Sequence, residues 1–206
     1  APIALTDDAS VNGQLIFSQD KLFNVGTKEL TLGPSASIIN ANANRYIQTS
    51  GNGGDGGLTK IYNNPATFTF PVGVVNYTPG SIGLSIAPTT YGEITIIPVN
   101  YEHPSVTASG RNLTYFWKVK SSGFILGAAA VTHGYSYDQS NVVTGGGITE
   151  NQYVAARYLP STYTWTKGNV NDVDETANII GEPGAGSFLE NVTFIDGDYT
   201  AGDDNP

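Results

Sequence analysis

Residues 113–119 read LTYFWKV. In an extended chain Leu113, Tyr115, Trp117 and Val119 fall on one side, and Thr114, Phe116 and Lys118 on the other. Alternation of this kind marks a strand with one buried face. Trp117 shares its side with Leu113 and Val119, so it is expected in the core rather than on a binding surface. The same period recurs at 163–166, YTWT, and at 92–99, GEITIIPV. In the latter Glu93 and Thr95 point outward and Ile94 and Ile96 inward, and Pro98 marks an edge or a strand end.

Between such runs stand frequent turn signals: GNGGDGG at 51–57, NNP at 63–65, TPG at 78–80, ASG at 108–110, TGGG at 144–147 and GEPGAG at 181–186. Short Thr/Tyr/Val/Ile runs with this punctuation predict an all-β fold, a β-sandwich or jelly roll. The first 62 residues have a different texture, with small residues, repeated Asn and short apolar pairs, as in ribbons or solenoid-like coils. A soft internal boundary is placed near 63–66. The whole of 1–206 is read as one domain, because so short a coil region buries little alone. At most one short helix is expected, over DVDETANIIG at 172–181, with Asp172 as cap and Gly181 as stop. GNGGDGG reads as a mobile hairpin tip, since no Lys-Ser/Thr follows it to make a phosphate loop.

Composition limits the partners. Charged residues make only 13% of the chain, against about 25% in an average soluble protein. The net charge of −9, with nine scattered bases, argues against nucleic acid, whose binding rests on Lys and Arg. No apolar run approaches the ~18–20 residues of a membrane span. There is no Cys and no Met, so no disulfide frame or thiolate site is expected. A start at APIALTDD without Met predicts a processed or excised segment of an extracellular protein.

The residues give no sign of catalysis, and a non-enzymatic protein is expected. No G-x-S-x-G occurs. His103 and His133 have only Glu102 and Asp138 as sequence neighbours, so His103 is read as a turn residue and His133 as lining a strand. Two separated His do not make a zinc site. Nine of the 18 acids lie in the last 35 residues, where no base occurs. Asp172, Asp174, Glu175, Asp196, Asp198 and Asp203, with Asp204, are therefore the candidate calcium ligands, though without EF-hand spacing. The alternative is a solvated junction that keeps the chain soluble. Trp165 is the candidate glycan-stacking residue. Three N-x-T sequons, at Asn76, Asn112 and Asn191, are expected by chance in an Asn/Thr-rich chain.

LTLGPSASI (30–38), YIQTSGNGG (46–54), FTFPVG (68–73), LTYFWKVKSSG (113–123) and FIDGDYTAGD (194–203) occur in this order. Together they resemble a β-rich module of very large secreted surface proteins of Bacteroidota, those tied to type 9 secretion and gliding motility. In that resemblance Phe70, Pro71, Val72, Gly73 and Trp117 are fold markers, and the chain departs from it in ending at DDNP without a sorting domain. The resemblance implies a non-enzymatic structural or adhesion module at the cell surface, a fibre subunit or one repeat of a giant adhesin. Its partners would be neighbouring copies or domains. The alternative is a carbohydrate-binding jelly-roll module that meets surface glycans.

Overall fold

The structure, a computed structural model, describes residues 3–107, 109–181 and 188–203. It is all-β, and no helix reaches seven residues. Among the described residues no helix is long and apolar enough to cross a membrane.

The chain begins as a three-sided coil. Its first turn carries β1 (Ile3–Ala4), β2 (Ala9–Val11) and β3 (Gln14–Ile16). The second carries β4 (Phe23–Gly26), β5 (Glu29–Leu32) and β6 (Ser37–Ile39), and the third β7 (Ile47–Thr49) and β8 (Gly57–Ile61). Each strand lies parallel on its counterpart one turn back: β1 on β4 on β7, β2 on β5 on β8, β3 on β6. Alternation turns Val25, Leu30, Leu32, Ile47 and Leu58 into the interior, where all are buried. Lys60 follows the same alternation and is buried too, yet it is not stranded. Its ammonium donates to the carbonyls of Gly33 (2.6 Å), Pro34 (2.8 Å) and Ala36 (3.0 Å), saturating its three protons at one corner of the coil. The segment GNGGDGG joins β7 and β8, which lie in different sheets and do not pair with each other, so the hairpin reading is corrected. Asp55 is buried there, accepting from the Ser50 hydroxyl (2.6 Å) and the Asn52 N–H (3.1 Å).

From residue 67 the chain becomes antiparallel, apart from Val72–Gly73, which pair parallel to β7. It runs through β9 (Thr67–Phe70), β10 (Val72–Gly73), β11 (Gly80–Leu84), β12 (Glu93–Val99), β13 (Phe116–Ser122) and β14 (Val131–Ser136). It then adds β15 (Val154–Leu159), β16 (Thr164–Lys167), β17 (Val173–Asp174), β18 (Ile179–Gly181) and β19 (Gly197–Gly202). The larger sheet has the order β16-β15-β19-β13-β12-β8-β5-β2, so it continues directly into the coil through β8. The facing sheet has the order β17-β18-β14-β11-β9, while β10 extends the β1-β4-β7 side of the coil. Gly57 opens β8 at φ +78°, and a Cβ there would lie 2.5 Å from the Ile96 carbonyl oxygen. Only glycine permits that approach.

Between the sheets sits a stack of rings. Tyr115 meets Trp117 edge-on at 5.1 Å, Trp117 lies 5.1 Å from Tyr135, and Tyr135 stacks on Tyr199 at 5.0 Å. The Trp117 indole N–H donates to the Thr78 carbonyl (2.9 Å). Leu113, Tyr115, Trp117 and Val119 are all buried, as the alternation predicts. Pro98 lies within β12 but beyond the end of β8, paired only with Trp117 on β13, so its missing N–H faces no strand.

The helix expected at 172–181 is instead the hairpin β17–β18. Asp174 accepts from the N–H groups of Thr176 (3.0 Å) and Ala177 (2.9 Å), Asn178 takes φ +56°, and Ile180 is drawn into the core beside Tyr135. Burial of Ile180 against a neighbouring strand outweighs a weak helical preference.

Replacing Lys60 with Met is expected to cost roughly 3 kcal/mol, because the carbonyls it serves lose their donor inside the coil. Urea unfolding of K60M against the wild type measures the difference.

Candidate functional site

The outer face of the larger sheet carries the densest polar and aromatic constellation. Across it Lys118, Asp198, Tyr158 and Trp165 form one row, each directly paired with the next on β13, β19, β15 and β16. The loop after β12 folds over this row. It places His103, 3% exposed, with its ring 4.7 Å from Phe116, 4.7 Å from Tyr158 and 4.9 Å from Trp165. Ile97, Val99 and Phe116 are buried beneath the loop as a small second core.

His103 is fully engaged. Its Nδ1 accepts from the Ser105 N–H (3.1 Å), so the ring proton resides on Nε2, which donates to Asp198 Oδ2 at 3.1 Å. Asp198 is only 5% exposed, and its Oδ1 has no donor among the described residues. His133 occupies the opposite side of β19, stacked on Tyr199 at 4.8 Å, with Nδ1 near the Tyr135 hydroxyl (2.9 Å) and Nε2 near the Phe194 carbonyl (3.0 Å). The two imidazoles thus bracket adjacent residues, Asp198 and Tyr199, from opposite faces and share no cavity. His133 lines a strand, as expected. The Asp198 partner of His103 lies 95 positions away and no local pattern reveals it.

Burial lowers the His133 pKa to about 4, against a smaller upward pull from the Phe194 carbonyl and a further lowering from Arg157. Glu102 goes the other way from a burial-driven rise: donors from Ser109, Gly110 and Asn112 hold its carboxyl below the usual range.

The larger sheet forks beside Asp198. β19 starts at Gly197, opposite Val119 and next to the Tyr158 pairing, while β13 runs on to Ser122 and β15 to Leu159. Asp196 closes the fork's floor, its carboxylate accepting from the Ser121 N–H and hydroxyl. Arg157 donates to the Asp196 carbonyl (2.7 Å) and lies 3.9 Å over the Phe194 ring. An open groove of about 410 Å³ results, walled by Lys118, Lys120, Leu159, Pro160, Ser161 and Asp198.

The candidate calcium ligands are dispersed, and most are held by other partners. Asp172 is buried and accepts from the Asn169 N–H (2.7 Å), Asp174 closes the β17–β18 turn, and Glu175 is exposed on that turn. Asp196 holds Ser121, Asp198 holds His103, and Asp203 pairs with Arg111 at 3.1 Å. Among the described residues no three His, Asp or Glu gather as a metal site; Asp204 lies outside them. Trp165 is half-buried in the His103 cluster and donates to the Ser105 carbonyl (3.3 Å), so its ring packs the loop onto the sheet. Of the sequons, Asn112 is buried and Asn191 exposed.

Two consequences are measurable. His103→Ala leaves the Asp198 carboxylate buried without its partner and is expected to cost about 3–5 kcal/mol in urea unfolding. For His133 the folded pKa lies below the unfolded value of about 6.5. Its contribution is therefore whole above that value and is lost as pH falls toward 4, by about 3 kcal/mol in total. Unfolding at several pH values should show this loss in the wild type and a shallower one in His133→Gln.

No protein-family model matches this chain, and no curated protein or solved structure matches it either.

Proposed function

We propose that this chain is an extracellular structural or adhesion module that assembles through the open end of its coil. The observation that supports this reading is the first turn. Among the described residues β1, β2 and β3 pair on one side only, and none of their own residues is charged or a proline, although Asp8 adjoins β2. Three other sheet edges are guarded: β16 carries Lys167, β17 carries Asp174, and β9 stands between Pro65 and Pro71, while β6, the partner of β3 within the coil, is as bare as the first turn. Natural sheets blunt their edges in these ways to prevent unwanted pairing, so edges left bare invite a partner strand.

The interior at this end is open as well. Leu5, Ala9, Val11 and Leu15 are only half-buried, while Leu30, Leu32, Ile47 and Leu58 deeper in the coil are fully covered. Ile3 and Ile16 are 57% and 55% exposed. A second copy, laying its own first turn against this one, would extend the ladder that already joins the turns within the chain. The low charge of the surface and the sequence resemblance support a cell-surface setting.

Val11 turns its carbonyl toward the second turn, accepting from the Gly33 N–H (2.8 Å). By alternation Ser10 presents its N–H to the open side. In sedimentation analysis from micromolar to millimolar protein, the wild type is expected to associate. Ser10→Pro is expected to weaken that association by roughly tenfold or more while leaving the fold intact. A wild type that stays monomeric at the highest concentration would end this reading.

A further inference from the structure

We propose that the fork in the larger sheet, together with the adjoining turn at 159–164, binds neutral oligosaccharides. The turn displays Tyr163, 81% exposed, at φ +58°. A bulky side chain is strained in this left-handed region. The Tyr163 N–H nevertheless donates to the Leu159 carbonyl (2.9 Å), and the hydroxyls of Thr162 and Thr164 bond across the turn (2.6 Å). The conformation is fixed, and a ring so exposed covers little of the protein's own core. Strain kept without a gain in packing points to a role outside the fold.

The turn also builds one wall of the groove, through Leu159, Pro160 and Ser161. Lys118 and Lys120 are balanced there by Asp196 and Asp198. A ligand of either charge meets no net countercharge, whereas a neutral polyhydroxylated one finds both donors and acceptors. Leu159, Pro160 and the Tyr163 ring offer apolar surface to the C–H faces of a sugar. The aromatic platform is thus Tyr163, two residues before the Trp165 that packs beneath the loop. The proposal stands apart from coil-end assembly, since Ser10→Pro leaves this groove untouched.

Titration calorimetry with short oligosaccharides of glucose, xylose, mannose or galactose, and with sialylated and sulfated ones, tests it. The wild type is expected to bind at least one neutral oligosaccharide. Tyr163→Phe should keep that binding, and Tyr163→Gly should lose roughly tenfold or more of it. Because glycine accepts the backbone angle, Tyr163→Gly should melt no lower than the wild type, which separates lost binding from lost folding. No binding across the neutral panel, preference for the charged sugars, or undiminished binding by Tyr163→Gly overturns the proposal. So does a groove that takes only extended peptides.

Discussion

The structure turns on the double pairing of β8. Leu58 lies beside Leu30 in a parallel ladder and beside Ile96 in an antiparallel one, so a single strand belongs both to the last turn of the coil and to the larger sheet. This has two effects. The coil, which alone would bury little, gains a covered end. The sheet gains an inner edge that needs no guard. The Thr59 and Thr95 hydroxyls, 2.6 Å apart, add a polar stitch at the same seam. Gly57 is where the constraint meets the sequence: Ile96 and Ile97 of β12 crowd its α-carbon, and no side chain fits.

The few charged side chains do unusual work. Lys60 and Asp198 are buried, and each is held by hydrogen bonds rather than solvent. A charge in such a place contributes little net stability, yet removing its partner is costly. Both link distant parts: Lys60 ties β8 to the corner before β6, and Asp198 ties the central β19 to the loop after β12. Surface polarity is left to Thr, Ser and Asn, which explains how so acidic and sparsely charged a chain still has a defined interior.

Much of this was legible in the sequence. The alternation at 113–119 gave the buried face, though the strand itself begins only at Phe116, and the change of texture before residue 63 anticipated the coil. What stayed hidden was non-local. Phe116 alternates to the solvent side of β13, and only a loop arriving from β12 covers it. His103 and Asp198 meet across the sheet, and nothing near either residue announces the other. At 172–181 a local capping pattern suggested a helix, but Tyr135 and Val173 receive Ile180 only in strand form. The acidic residues fall in two clusters along the chain, and those described proved to be separate fixtures, since alternation and turns send them to different neighbours. Sequence reveals which face is apolar; it does not reveal what lies across from it.

The position of β19 bears on how the molecule comes to exist. It is the last strand along the described chain, yet it sits between β13 and β15 in the interior of the larger sheet. Until residues 197–202 have left the ribosome, that sheet has a gap in its middle and His103 has no carboxylate to meet. Closure is thus a late event and a long-range one, of the kind that makes β proteins slow to fold. Among the described strands, the centre of the larger sheet is thus the last part to be supplied.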